Sequence, residues 1–378
     1  MITRRSFFKV AAGAGAAAAI SSSLTDRIFA LEPRRWNSTQ PSGPILLNSN
    51  ENAYGPFPSV LAISNPFQDA NRYPFHSVDA LAHKLAVAKS VRDDQVLLGC
   101  GSTEIIKLAV NAFTSPQRKL VMAAPTFEAA EMHARAVGTP VAHVPLAPDY
   151  SHDLEAMLAQ AHNAGLVYLC NPNNPTGSLT ARKQLESFIT RLPSDTYVLM
   201  DEAYHDFVPP GADYKSFIDA PIANDRLIVA RTFSKIYGIA GLRLGYAVAA
   251  PDAITKMQTQ SQSDSVNAFA LRCATASLDD PAAHRLAVQR NAADRDEFMR
   301  QTLRRNLTAI PSTANFVMLD ARLPVKQVIA HFEQHNLLVG RPFPPYLSHL
   351  RVSLGTPPEM VAFWQAWDAL PQTNTKVN

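Results

Sequence analysis

Residues 166–177 read LVYLCNPNNPTG, an apolar run that ends in a turn rich in Asn and Pro. Two later apolar runs, residues 197–200 and 227–230, end in the polar motifs DEAY and RTFSK. Apolar runs without polar alternation are typical of strands that are covered on both faces. Because helical patterns separate these runs, the sequence predicts an α/β fold with a mainly parallel central sheet flanked by helices.

The same alternation continues toward the N-terminus. A helix is predicted from Ser77, with Val78, Leu81 and Leu85 on one face behind a serine N-cap. The motif GSTE at residues 101–104 follows a short apolar run and opens a second helix. Further strands are predicted at residues 119–124 and 140–145, and further helices end near residue 138 and begin near residue 153.

The C-terminal third of the chain has a different pattern. Residues 252–306 are mostly helical in pattern, and three short apolar runs, 315–319, 337–339 and 350–354, then alternate with helical stretches. This pattern predicts a smaller α+β domain after the central sheet.

The composition narrows the class of protein. A chain of 378 residues is long enough for two packed domains, and 47% hydrophobic with 18% charged residues is typical of a globular protein. The net charge of +3 comes from the first 30 residues, where Arg4, Arg5, Lys9 and Arg27 outnumber Asp26. The remaining chain has no net charge, so we expect no nucleic-acid partner.

Neither a metal site nor a disulfide framework is predicted. Cys100, Cys170 and Cys273 form no Cys-x-x-Cys motif, and the histidines lack metal-ligand spacing. One disulfide pair remains possible in an oxidising compartment, but the sequence does not choose it.

The N-terminal segment has the pattern of an export signal. The motif TRRSFFK at residues 3–9, followed by an Ala- and Gly-rich run to residue 20, resembles a twin-arginine signal peptide. A basic amphipathic helix is the alternative, but the run has no polar face. We expect export to the periplasm and, since no apolar run could span a bilayer, no stable membrane association after processing.

We divide the chain into four parts. Residues 1–30 are the expected signal peptide, and residues 31–70 an N-terminal arm with part of the small domain. Residues 71–260 form the expected large domain, and residues 261–378 the small C-terminal domain.

Chemically useful side chains stand at the ends of the predicted strands, where open α/β sheets bind ligands. Asn174 follows one strand, Asp201 and Tyr204 another, and Lys235 and Arg243 a third. Taken singly, each of these residues could have a purely structural role, since NPNNP makes a rigid turn and an aspartate can cap a helix. Core packing does not require the whole set, which therefore predicts a ligand site.

With these motifs the chain resembles the fold type I pyridoxal-phosphate enzymes of the class I/II aminotransferase family, most closely their histidinol-phosphate aminotransferase branch. The resemblance covers nearly all of the chain after the leader and is more specific for fold and cofactor than for substrate. It rests on LNSNENAYGP (47–56), RYP (72–74), GSTE (101–104), NPTG (174–177), DEAY (201–204), Ser234-Lys235, Arg243 and LRV (350–352).

The resemblance implies roles around the cofactor ring. Lys235 would bond to the pyridoxal carbonyl and later move the proton at the substrate α-carbon. Asp201 would pair with the pyridine nitrogen and keep it protonated. Asn174 and Tyr204 would hydrogen-bond the ring oxygen, and Phe127 would stack on the ring.

The resemblance also implies a phosphate site and a substrate site. Arg351 would bind the substrate carboxylate as a fork, with Tyr54, Asn174 and Arg341 as further substrate candidates. Tyr73 would reach the phosphate in the neighbouring subunit, which implies a homodimer with shared active sites. The phosphate would be held by Ser102, Thr103, Thr232, Ser234 and Arg243.

The implied activity is transfer of an amino group between an amino acid or amine and a 2-oxo acid, with pyridoxal 5'-phosphate as cofactor. The alternative is a pyridoxal-phosphate lyase or decarboxylase of the same fold, such as a threonine-phosphate decarboxylase, since it uses the same lysine, aspartate and phosphate site. A third hypothesis is a non-catalytic periplasmic binding protein, against which the intact Lys235 and Asp201 argue.

Overall fold

A computed structural model of the chain describes residues 43–65, 67–262 and 264–371. The expected signal peptide and residues 31–42 of the expected N-terminal arm therefore lie outside the described residues. None of the helices in the described part is long and apolar enough to cross a membrane.

A seven-stranded sheet occupies the middle of the chain. Its strands are β2 (Val96–Gly99), β3 (Lys119–Ala124), β4 (Val141–Pro145), β5 (Ala164–Cys170), β6 (Tyr197–Asp201), β7 (Leu227–Thr232) and β8 (Gly245–Val248). In space they follow the order β2-β8-β7-β6-β5-β3-β4. Strands β4, β3, β5, β6 and β7 are parallel neighbours, whereas β8 is antiparallel to both β7 and β2. The mainly parallel sheet predicted from the apolar runs is confirmed.

Helices cover both faces of this sheet. One face packs against α2 (Phe75–Lys89), α5 (Leu154–Ala159), α6 (Arg182–Arg191) and α8 (Ala268–Leu278). The other packs against α3 (Ser102–Phe113), α4 (Ala129–Ala136) and α7 (Pro251–Gln258). Strand β5 is buried along its whole length, because helices lie above and below it.

The serine N-cap predicted for α2 is wrong. The helix begins at Phe75, two residues before Ser77, and its N-cap is Pro74, with no side-chain capping bond. The carbonyl of Pro74 accepts the first helical hydrogen bond, from the amide of Val78 at 2.9 Å. The predicted apolar face is correct, since Leu81 and Leu85 are buried in the core.

Two smaller sheets form a second layer. Strands β9 (Thr308–Ala309), β10 (Phe316–Asp320) and β12 (His349–Ser353) are antiparallel, in the order β12-β10-β9. Strand β1 (Ile45–Leu47) pairs in parallel with β11 (Leu337–Val339), which brings the N-terminal arm onto the C-terminal part. Helices α10 (Val325–Gln334) and α11 (Pro357–Asp368) close their core.

Two helices remain. The short α1 (Pro58–Leu61) packs on the core of the large sheet, and the long α9 (Pro281–Arg304) packs against both cores. The division of the chain at residues 70 and 260 stays a prediction.

Candidate active site

Three parallel strands deliver the candidate residues to one edge of the large sheet. Cys170 at the end of β5 is opposite Asp201, and Asp201 is opposite Ala230 near the end of β7. A cavity of about 430 Å³ opens at this edge. The predicted residues that line it are Ser102, Thr103, Phe127, Asn174, Asp201, Tyr204, Thr232, Ser234, Lys235, Arg243, Arg341 and Arg351.

Two predicted residues do not line this cavity. Tyr73 is 73% exposed and stacks on Phe75, with 5.8 Å between the ring centroids. Tyr54 lines a separate small cavity and donates a 3.0 Å hydrogen bond to Asp294. Burial and this hydrogen bond raise the pKa of Tyr54 to about 12. Neither phenol reaches the large cavity within the described part of this chain.

Lys235 lies just past β7, and its amine faces the cavity. Nζ donates a 3.2 Å hydrogen bond to the carbonyl of Ser49 in the N-terminal arm. Burial lowers the pKa of Lys235 from its usual 10.5 to about 8, and the positive charges of Arg351 and Arg243 act in the same direction. The site therefore makes this amine available in its unprotonated, nucleophilic form.

Asp201 ends β6 with 2% of its surface exposed. Oδ2 accepts a 2.8 Å hydrogen bond from the hydroxyl of Tyr168, and Oδ1 accepts one from the amide of Ala203 at 3.1 Å. Burial raises the pKa of Asp201 to about 6, although both hydrogen bonds and the charge of Lys235 oppose this rise. A buried carboxylate of this kind is stabilised further by a positively charged partner in the cavity.

One part of the cavity wall is suited to bind an anion. Helix α3 begins at Ser102, so its free amides and positive dipole end point to this region. Gly101 has a φ of +75°, and a Cβ there would lie 2.4 Å from Nη2 of Arg243. Only glycine therefore lets this guanidinium approach the start of the helix. Thr232 donates to Ser234 at 3.0 Å, and these two hydroxyls complete the polar wall.

Tyr204 and Asn174 also line the cavity. Both are buried, and the Tyr204 ring packs edge-on against Phe316 at 5.0 Å. The Tyr204 hydroxyl accepts a 3.0 Å hydrogen bond from Nδ2 of Asn50 in the N-terminal arm. Burial raises the pKa of Tyr204, so this phenol stays protonated at neutral pH. It can therefore donate a hydrogen bond to an oxygen in the cavity.

Arg351, on β12 of the three-stranded sheet, places a positive charge in the cavity wall. Nη1 donates to Oδ1 of Asn174 and Nη2 to the carbonyl of Asn48, both at 2.6 Å. Its buried Nε has no hydrogen-bond partner among the described residues. Burial lowers the pKa of Arg351 to about 10, so the group remains charged at neutral pH. A buried, incompletely satisfied guanidinium is suited to bind a carboxylate.

The sequence reasoning missed several residues of this cavity. Asn50 and Glu51 lie in the arm motif but were given no role, and Cys170 and Phe343 also line the cavity. Tyr168, which binds Asp201, reads as one more apolar position of β5. Only the register of β5 against β6 could have indicated it, since residue 168 faces residue 199, two positions before Asp201.

No group of three or more His, Cys, Asp or Glu side chains that could hold a metal occurs in the described ranges. The three cysteines are free thiols, and Cys170 and Cys273 are buried.

Comparison with known proteins identifies the family. The model of the family "Aminotransferase class I and II" matches residues 42–364. The chain belongs to the class I and II aminotransferases. A histidinol-phosphate aminotransferase from Symbiobacterium thermophilum is 35% identical over 86% of this chain and 90% of that protein. One from Geobacillus sp. (strain WCH70) is also 35% identical, over 78% of this chain and 81% of that protein.

A solved structure agrees with this assignment. Histidinol-phosphate aminotransferase from Sinorhizobium meliloti, in complex with pyridoxal-5'-phosphate, has a TM-score of 0.79 and 26% identity. The match covers 89% of this chain and 97% of that one. This aminotransferase therefore has the fold type I architecture and depends on pyridoxal phosphate.

The cavity of this aminotransferase fits that cofactor. A buried carboxylate at one end suits a ring nitrogen, and the helix start with Arg243 and two hydroxyls suits a phosphate at the other. The amine of Lys235, with a pKa of about 8, lies on the same cavity. The close approach of Gly101 to Arg243 would be lost with any larger residue at 101. The lining residues thus match the ring nitrogen, the phosphate and the carbonyl group of pyridoxal phosphate.

Proposed function

We propose that Lys235 holds the cofactor covalently and moves the proton that amino transfer requires. Because burial lowers its pKa to about 8, part of the amine is unprotonated near neutral pH. Only this form can attack a carbonyl or accept a proton. With a donor bound, Nζ would be placed to remove the proton from the α-carbon of the donor and to return it later in the cycle.

Asp201 and the phosphate end orient the cofactor in this proposal. When bound, pyridoxal phosphate supplies an electron sink for the bond that breaks at the donor α-carbon. Asp201 holds a proton on the ring nitrogen, which keeps that sink effective. Arg243, Ser102, Thr103, Thr232 and Ser234 bind the phosphate, while Tyr204, Asn174 and Phe127 fix the ring.

Arg351 binds the carboxylate of donor and acceptor in turn. An amino acid gives up its nitrogen and leaves as a 2-oxo acid, or an amine leaves as an aldehyde. A second 2-oxo acid then takes up that nitrogen and leaves as an amino acid. When the donor is an amino acid, the same arginine serves both halves of the cycle, because the amino acid and the 2-oxo acid carry a carboxylate at the same place.

The observation that carries this proposal is the convergence of Lys235 and Asp201 on one cavity. The test is to incubate the protein with amino donors and either pyruvate or 2-oxoglutarate, and to measure alanine or glutamate. Release of carbon dioxide or ammonia without amino transfer would instead favour a lyase or decarboxylase, the candidate that the family assignment favours less.

A variant set tests the residue roles. Lys235→Ala should fold but lose turnover. Borohydride treatment should attach the cofactor to the peptide around residue 235 in the wild type and not in this variant. Lys183→Ala, on the exposed side of α6, is the matched control and should retain both. Asp201→Ala should bind the cofactor but slow proton removal by several orders of magnitude. A Lys235→Ala protein that still turns over would contradict the assigned role.

We also propose a homodimer that shares its active sites. Leu61, Phe67, Tyr73 and Phe75 lie close together in the chain, and each is more than half exposed. Several large apolar side chains exposed in one short segment are typical of an interface. In the dimer, Tyr73 would reach the phosphate in the neighbouring subunit. Light scattering should give twice the mass of the chain. The double variant Leu61→Asp/Phe75→Asp should shift the measured mass toward that of the monomer.

The last part of the proposal is export through the twin-arginine pathway to the periplasm. Its support is the TRRSFFK motif and the Ala- and Gly-rich run behind it. A pathway that carries folded proteins suits an enzyme that must take up its cofactor before it leaves the cytoplasm. Replacing Arg4 and Arg5 by Lys should retain the protein in the cytoplasm, and unchanged export would contradict the proposal.

A further inference from the structure

We propose that Glu128 selects the amino donor by neutralising Arg341 at the outer end of the site. The preferred donor then has one carboxylate and an uncharged, largely apolar side chain, and donors with a second anionic group are disfavoured. This inference rests on the proposed function, because it concerns the donor of the same site.

The first observation is the position of two guanidinium groups around one ring. The centroid of Phe343 lies 4.2 Å from the guanidinium carbon of Arg341 and 4.7 Å from that of Arg351. Phe343 is 5% exposed and packs against Ile310 and Met318. All three residues of the Arg–Phe–Arg arrangement line the cavity. The ring therefore contacts a buried, inner cation, Arg351, and a half-exposed, outer one, Arg341.

The second observation is the partner of the outer cation. Nη2 of Arg341 donates to Oε2 of Glu128, although 213 residues separate the two in the chain. Nη1 donates to the carbonyl of Pro342 at 3.1 Å. Glu128 follows Phe127, so the helix that starts there places a carboxylate next to an aromatic wall of the cavity.

The third observation is that both charges act on the inner arginine. Arg341 lowers and Glu128 raises the pKa of Arg351, so the two members of one ion pair shift this pKa in opposite directions. Without Glu128, Arg341 would be a second receptor for a carboxylate or phosphate. With Glu128 in place, a second anion on the substrate approaches a neutral pair and meets a like charge. What remains attractive at this end are the rings of Phe127 and Phe343, which favour an apolar side chain.

Binding of two acids that cannot react tests the inference without turnover. Succinate carries two carboxylates, whereas 3-phenylpropionate carries one carboxylate and an apolar ring. In calorimetric titrations the holoenzyme should bind 3-phenylpropionate more tightly. Glu128→Gln should shift the ratio of the two Kd values toward succinate by roughly two- to fivefold, because it frees the half-exposed guanidinium of Arg341.

Two further variants make the test specific. Glu131→Gln removes an equal charge three residues along, from a carboxylate that pairs with Arg135 and His143, and should leave the ratio unchanged. The double variant Glu128→Gln/Arg341→Gln should lose the gain, since the freed guanidinium is also gone. A wild-type preference for succinate, or an unchanged ratio in Glu128→Gln, would overturn the inference.

Turnover separates this inference from the proposed function. With pyruvate as acceptor, the ratio of kcat/KM for L-phenylalanine to that for O-phospho-L-serine should be high and should fall in Glu128→Gln. If no donor is transaminated by any variant, the proposed function fails while the binding ratios still report on Glu128. If donors are transaminated and phosphoserine is preferred, the selection by Glu128 fails alone.

Discussion

The hydroxyl of Tyr168 donates a 2.8 Å hydrogen bond to Oδ2 of Asp201. Tyr168 lies on β5 and Asp201 ends the neighbouring β6, and both are almost fully buried. Since the amide of Ala203 binds the other oxygen, the carboxylate is held in one orientation. Burial raises the pKa of Asp201 to about 6, and the bond from Tyr168 limits that rise. Tyr168 is therefore a positioning residue that also favours the charged carboxylate.

Tyr168→Phe should lower kcat/KM by roughly 10- to 100-fold, because a hydrogen bond to a charged group is typically worth about 1.5–3 kcal/mol. Removing this bond raises the pKa of Asp201 further, so the acidic limb of the pH profile should move to higher pH. Tyr197→Phe, which loses a contact with Lys256 on the surface, is the control. A lower rate with an unshifted pH profile would mean that Tyr168 acts through packing alone.

Arg351→Ala should raise KM for donors with a carboxylate by roughly 10- to 100-fold, the range for a lost charge-assisted contact. Arg351→Lys should recover little, because an ammonium cannot reach both Asn174 and the carbonyl of Asn48 while it binds a carboxylate. Steady-state kinetics with Arg300→Ala, an exposed arginine on α9, provides the comparison. A normal KM in Arg351→Ala would place the carboxylate elsewhere.

Much of the site could be predicted because parallel strands bring their carboxyl ends to one edge. Asn174, Asp201 and Lys235 each follow an apolar run, so their convergence follows from the sheet alone. The antiparallel strand β8 and the pairing of β1 with β11 could not be predicted, since both depend on contacts between distant segments.

Other parts of the site depend on charge pairs that sequence patterns do not show. Arg341 is predicted only as a substrate candidate and Glu128 has no predicted role, because their contact joins segments 213 residues apart in the chain. Ser77 illustrates a local error. A good capping residue was available there, but the chain enters the helix earlier, at Phe75, with the carbonyl of Pro74 as the first acceptor.

A buried ion pair next to the site should contribute strongly to stability. Nε of Arg231 donates to Glu202 at 2.8 Å, and both side chains are almost fully buried. Arg231→Met leaves the carboxylate of Glu202 buried without its cation, which typically costs about 3–5 kcal/mol. Glu131→Gln, which breaks exposed pairs, should cost less than about 1 kcal/mol. Thermal unfolding of both variants measures the difference, and equal melting temperatures would contradict the assigned importance of the pair.

The pKa of Lys235 predicts how fast the apoprotein takes up its cofactor. Since only the unprotonated amine attacks the carbonyl, the rate should rise about tenfold per pH unit and level off near pH 8. If the pKa of Lys235 were unperturbed, the rate of cofactor uptake would continue to rise up to about pH 10.

Two neighbours should move this inflection in opposite directions. Arg351 lowers and Glu51 raises the pKa of Lys235, so Arg351→Ala should move the inflection to higher pH and Glu51→Gln to lower pH. Stopped-flow absorbance of the bound cofactor, followed from pH 6 to 10, measures both shifts. An electrostatic effect on the pKa of Lys235 depends on the sign of the charge that is removed, whereas an effect of packing does not. If both variants moved the inflection in the same direction, the electrostatic explanation of this pKa would therefore be wrong.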